Sequence, residues 1–170
     1  MISENQLLST VKSDHLKTFG QFVLSHCNER YLPDYKKMDL MKIPQCIPYI
    51  WAYDLTGEDI DQRFLIKFSG TKIDELHGQN IMGKYDIDFY KDKNLFSEVH
   101  QKYLTSVLTG KTSYSERSSN YPRSEEEKLF RYIETLFFPC SNDGENPNFG
   151  IGCANIDLIK RDVEDTFTHF

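Results

Sequence analysis

The chain has 170 residues, 39% of them hydrophobic and 27% charged, with 12 Phe, 10 Tyr and a single Trp. That length suits one domain with its own core, and the composition excludes extended disorder. Twenty basic residues against 26 acidic ones leave a formal charge of −6, which argues against nucleic acid as a partner.

Cys27, Cys46, Cys140 and Cys153 are widely spaced, with no CxxC and no Cys/His cluster at ligand spacing, so a structural zinc site is not expected. The polar start around Glu4, Asn5 and Gln6 is unlike a signal peptide, and no apolar stretch is long enough to span a membrane. The expectation is a cytoplasmic protein with reduced thiols and no membrane contact.

In chain order, Leu7, Leu8, Val11, Leu16, Phe19, Val23 and Cys27 recur at helical intervals. They predict an amphipathic N-terminal helix over residues 4–30 with a break near Ser13-Asp14. Pro33, Pro44 and Pro48 then predict an irregular connector with one short helix around Asp39 to Lys42. Tyr49 to Leu55 and Arg63 to Ser69, joined by Thr56-Gly57-Glu58-Asp59, read as an antiparallel pair. Helical turns follow at Thr71 to His77, stopped by Gly78, and at Ile81 to Tyr90 around Gly83. A longer helix runs from Asn94 to Leu108, with Gly110 past its end. Gly70, Gly78, Gly83 and Gly110 all fall at element ends, where positive φ or close approach is expected.

Strands are predicted again at Thr112 to Tyr121, Leu129 to Pro139 and Phe149 to Leu158. Polar runs at residues 123–128 and 141–147 make the turns between them. Residues 160–170 read as a short helix or a frayed tail. The order predicts an α+β layout: a five-stranded antiparallel sheet with helices covering one face and a cavity between the layers. The division expected is an N-terminal helical extension at 1–30, a domain at 31–158 and a tail at 159–170.

Several short motifs stand in a familiar sequence. They are Leu32-Pro33, Asp39 with Ile43-Pro44, and Ile47-Pro48-Tyr49 leading into the first strand. Phe64 to Ser69-Gly70-Thr71-Lys72-Ile73 follows with Glu75-Leu76 and Gly78, then Gly83-Lys84 and the Tyr103 to Gly110 helix end. Over residues 17–157 the chain resembles the PAS family of sensory domains, in its small free-standing bacterial branch. The resemblance implies a five-stranded sheet with helices enclosing a pocket, used to bind a small molecule or to dimerise and pass on a signal. Flavin photosensors of the family carry a reactive cysteine on the helical side, whereas residues 71–108 contain none. Haem-binding members use a helix-borne histidine, for which His77 and His100 are the candidates. Both have ordinary alternatives: His100 as a buried hydrogen-bonded side chain beside Phe96 and Tyr103, and His77 as a cation at a helix C-terminus. The cofactor, if any, is left open.

Alternation presents Phe64, Ile66 and Phe68 to one face of the first hairpin, and Ile133, Thr135 and Phe137 to a face of the penultimate strand. An apolar wall of this kind, with Tyr85, Tyr103, Thr135 and Asn155 to orient a ligand, suits a small-molecule site. The alternative is that the same aromatics close-pack into a solid core. Tyr132, Glu134, Leu136 and Phe138 make the opposite face largely apolar too. That face therefore calls for cover, either by the N-terminal helix or by a second subunit, and a homodimer is expected on this ground. Cys140 and Cys153 fall out of register for a disulfide, because Cys153 should stand opposite Leu136.

No nucleophile elbow, phosphate loop or zinc helix is present. The expectation is a non-enzymatic sensory or regulatory domain. A ligand-free adaptor scaffold is one alternative, and an isomerase with a carboxylate base beside a tyrosine is another, for which Glu134 and Asp157 are candidate acids. Only twelve residues follow Leu158, so a signal is expected to leave through a regulatory partner protein or a dimer rearrangement.

Overall fold

The computed structural model describes residues 2–27, 32–90, 92–120, 130–143, 146–159 and 162–170. The polar run expected to form a turn at 123–128 lies outside the described residues.

The N-terminal pattern forms two helices, α1 (Glu4–Thr10) and α2 (Asp14–Leu24), divided at the break read near Ser13-Asp14. The break comes where Ser13 offers its hydroxyl to the Leu16 amide as an N-cap, and Ser3 with Gln6 builds a capping box on α1. The prolines hold the connector in single 3-10 turns at Tyr35–Lys37, Leu40–Lys42 and Ile47–Tyr49. Then come β1 (Ile50–Asp54), β2 (Leu65–Ser69), α3 (Thr71–His77), α4 (Asp86–Phe89) and α5 (Lys93–Thr109). The chain closes with β3 (Ser113–Asn120), β4 (Phe130–Cys140), β5 (Phe149–Ile159) and β6 (Thr166–His169). Gly78, Gly83 and Gly110 take positive φ, whereas Gly70 is needed for close approach: a Cβ there would meet the Ile47 carbonyl oxygen at 2.3 Å.

All strand pairs are antiparallel, in the order β2-β1-β5-β4-β3-β6. The sheet therefore has six strands, not the five expected. The sixth comes from the residues read as a helix or frayed tail: Ser113 to Glu116 of β3 pair with His169 back to Thr166. Four alternating residues carry too little periodic signal to mark a strand, and the ladder comes from β3, about fifty residues away in sequence. The helical turns expected over Ile81 to Tyr90 reduce to α4. Residues 83–86 run instead along the outer edge of β2: the Ile66 amide donates to the Lys84 carbonyl, the Gly83 amide donates to the Ile66 carbonyl, and the Asp86 amide donates to the Phe64 carbonyl. That contact covers a sheet edge that would otherwise template association.

Both faces of the sheet are covered. On one, Leu7, Leu16, Phe19 and Val23 of α1 and α2 pack on Leu136, Phe138 and Ile151. On the other, α3 to α5 pack on Trp51, Tyr53, Ile66, Ile133 and Phe137. On β4, where the sequence left open which face meets the α3–α5 core, Ile133 and Phe137 point there and Leu136 and Phe138 point to α1 and α2. On β2 the parity differs from expectation at one residue: a bulge opposite Ala52/Tyr53 puts Phe68 against Ala52, on the α1–α2 side, while Phe64 and Ile66 stay on the other side. An inserted residue reverses every side chain beyond it, which alternation in one strand cannot reveal.

The α1–α2 layer is held by a buried carboxylate. Glu134, 1% exposed, accepts from the Lys12 amide at 2.7 Å, the Ser13 amide at 3.2 Å and the Tyr114 hydroxyl at 2.8 Å. Its charge lies at the N-terminus of α2, where amides and helix dipole both favour an anion. Beside it Glu116 binds the Lys12 ammonium and the Tyr132 hydroxyl.

Candidate functional site

The α3–α5 side of the sheet is not filled completely. A cavity of about 40 Å³ remains between the layers. Its floor consists of Trp51 and Tyr53 of β1, Ile66 of β2, Ala154 of β5, Ile133 and Thr135 of β4, and Arg117 of β3. Its cover consists of Ile73, Leu76 and His77 of α3, then Ile81, Phe89, Tyr90, and Tyr103 of α5. One backbone feature makes room for the indole: a Cβ on Gly152 would meet Trp51 Cζ2 at 2.3 Å, so the ring rests on a bare Cα in the neighbouring strand.

Polar groups converge on this apolar space. Trp51 Nε1 is buried and makes no hydrogen bond of ordinary geometry, although its N–H lies near enough to Tyr53 to oppose slightly the upward push of burial on that phenol. Burial raises the Tyr103 hydroxyl above its ordinary pKa, against a hydrogen bond with Thr135 and the charge of Arg117. Tyr90 is pushed up in the same way, against its hydrogen bond with the guanidinium of Arg117. His77 is lowered to about 4, first by burial and then by Arg117. It is therefore neutral at ordinary pH, so the charge expected of it at a helix C-terminus is absent; its ring sits edge-on to Phe89 at 4.7 Å. No carboxylate lines the cavity among the described residues.

Of the residues singled out in the sequence, Ile66, His77, Tyr103, Ile133 and Thr135 meet in this wall. Phe64 and Phe137 lie just behind it, in the same core: Phe137 is 4.7 Å from Tyr103 and Phe64 is 5.0 Å from Tyr53. Phe68 is on the other side of the sheet, because of the bulge. Asn155 pairs with Glu134 in the ladder and bonds Asp157, on the α1–α2 face. Tyr85 lies outside, under the guanidinium of Arg63 at 3.9 Å and lining a surface cleft with Asp54 and Asp59.

His100 is 3% exposed and lies behind the wall. Its Nδ1 bonds Asp86 at 3.0 Å, and the Asp86 carboxylate also accepts from the Phe64 amide at 2.8 Å. The Phe64 ring packs on the imidazole at 4.2 Å, between it and the rest of the core. His100 thus fastens α5 to α4 and to the start of β2.

Sequence reasoning missed Trp51, Tyr53, Tyr90 and Arg117. The lone Trp inside the first predicted strand was a usable signal. Arg117 was not, since an arginine in a polar strand reads as solvent-facing until the helix opposite is placed.

A second cluster lies on the α1–α2 side. His15 contacts Cys46 at 3.8 Å through Nδ1 and Cys153 at 3.4 Å through Nε2. Cys153 stands opposite Leu136, as the register implied, and no disulfide joins it to Cys140. A hydrogen bond from Cys153 lowers the Cys46 thiol to about 5, against burial and with help from His15, while burial and Cys46 hold Cys153 well up.

No family model and no curated protein matches the chain. Among solved structures it is similar to VqmA of Vibrio cholera, seen in a complex with ligand and DNA. The TM-score is 0.51 at 14% identity, over 71% of this chain and 52% of that one. The likeness is one of fold, and this chain spans about half the length of VqmA. Mixed helices on an antiparallel sheet are in keeping with the PAS-like layout the motifs implied. No described helix is long and apolar enough to cross a membrane.

Proposed function

We propose that this chain is a sensory or regulatory domain of PAS type that binds a small molecule in the cavity between its sheet and α3–α5, without catalysis of its own. The observation that carries the reading is the convergence of Trp51, Tyr103, Thr135 and Arg117 on a void walled by aliphatic and aromatic side chains. That is the composition of a small-molecule site, and close packing would normally leave neither the void nor the orphaned indole donor. The solved complex of VqmA contains a ligand, which adds support. Its DNA is not carried over, because a formal charge of −6 disfavours a phosphate backbone.

A route for the signal is built into the same wall. Tyr103, Arg117 and Thr135 also line an outer groove, together with Thr166 and Phe167 of β6. A ligand that repositions Arg117 would bear on the C-terminal strand and on any partner that reads it, provided it binds the two arrangements unequally.

Two other readings have specific observations to meet. The adaptor with a solid core gains from the small size of the void. The isomerase needs a carboxylate beside a tyrosine in the cavity, yet Glu134 and Tyr114 form that pair on the far side of the sheet, spent on the α2 N-terminus.

Native mass spectrometry of the freshly purified chain, set against its denatured mass, tests the proposal. A non-covalent adduct that is lost in Ala154→Val, a substitution that fills the void, is the expected result. An adduct-free chain that also binds nothing from a fragment set of small polar and apolar molecules would leave the adaptor reading in its place.

A further inference from the structure

Resting on the ligand site proposed above, we infer that the molecule it takes is a compact organic anion, a monocarboxylate of a few heavy atoms. Its carboxylate would sit on Arg117 and its apolar end against Trp51 and Ile133.

The argument begins with charge. Arg117 is half-buried at the cavity wall, and among the described residues no carboxylate pairs with it. Its side-chain partner is the neutral Tyr90 hydroxyl. The carboxylates that share the outer groove with Arg117 have other partners: Glu116 binds Lys12 and Tyr132, Glu98 binds Lys102, and Asp165 accepts from the Ser118 amide, while Asp86 behind the wall is held by His100 and two backbone amides. A half-buried guanidinium with no carboxylate bonded to it is a ready-made fork for one.

Hydrogen-bond polarity points the same way. Trp51, 6% exposed, has only a donor to offer, and that donor makes no hydrogen bond of ordinary geometry. Arg117 is donor-only as well. Hydroxyls of Tyr103 and Thr135 can complete an acceptor's shell, whereas a cationic or donor-rich ligand finds no carboxylate on the wall. Size sets the remaining limit. At roughly 10–15 Å³ for each water-sized group, a space of about 40 Å³ suits a molecule of a few heavy atoms.

The test uses the full chain and isosteric probes: propionate, propionamide and propylammonium, with acetate, butyrate and benzoate to scan length. Calorimetric titration and thermal melting are the readouts. Propionate or one of its neighbours should bind saturably and raise the melting temperature, with the amide weaker by roughly tenfold or more and the ammonium ion inactive. Arg117→Gln should abolish carboxylate binding, Arg117→Lys should weaken it, and Trp51→Phe should cost several-fold. The three-probe comparison on the unmodified chain stands even if a variant fails to fold. Equal binding of propionamide, preference for propylammonium, full binding by Arg117→Gln, or no binding by any carboxylate at millimolar concentration would overturn the anion. Binding of a neutral molecule that Ala154→Val abolishes would overturn it while leaving the cavity reading intact.

Discussion

His77 is a single residue whose environment has a measurable consequence. Its pKa falls from an ordinary 6.5 to about 4 in the folded chain. Between those values the unfolded chain binds a proton that the folded chain does not, so stability is intact above pH 6.5 and falls as pH drops toward 4. The loss is of the order of 3 kcal/mol by linkage. Urea melts at successive pH values should show this slope, and His77→Phe should flatten it. Cys46 offers a second residue-level check. Thiolate absorbance should titrate near pH 5, disappear in Cys46→Ser and persist in Cys140→Ser. Gly152 supplies a third: an added methyl must displace the Trp51 indole. Gly152→Ala should therefore cost about 2 kcal/mol as an overpacked core does, and it should change tryptophan fluorescence because Trp51 is the one indole in the chain.

At the scale of elements, the α1–α2 layer depends on Glu134. Removing the carboxylate leaves two backbone amides and the Tyr114 hydroxyl without their acceptor. Glu134→Ala should lower stability by about 3 kcal/mol in urea melts, while Tyr114→Phe, which removes one bond, should cost about 1 kcal/mol. β6 is the element that local pattern could not supply. Its Phe167 ring lies 5.0 Å from the Lys102 ammonium, and His169 Nε2 is 3.1 Å from the Lys102 carbonyl oxygen. These contacts bind it to α5 as well as β3, which is why so short a segment is ordered into the sheet.

For the whole molecule, the apolar second face of the sheet called for cover by the N-terminal helix or by a second subunit, and α1 and α2 cover it from within the chain. A dimer, if formed, must use another surface, such as the β6 edge. We expect the mass of one chain by light scattering at micromolar concentration. A stable two-chain mass at that concentration would overturn this expectation.

The helix pattern at Leu16, Phe19 and Val23, the stop at Gly78, the capped break at Ser13 and the alternation of β4 were all legible in the sequence. Each arises from neighbours within a few turns or one strand: local hydrogen bonding, capping and the periods of 3.6 and 2. Five of the wall residues were legible for the same reason, since they lie on regular strands or helices with the period intact. The bulge that turns Phe68 away, the pairing of β6 with β3, the inward placement of Arg117 and the meeting of His15 with Cys46 and Cys153 were decided in the tertiary structure alone. These depend on residues distant in sequence, and no local period records which strand, helix or charge will stand opposite.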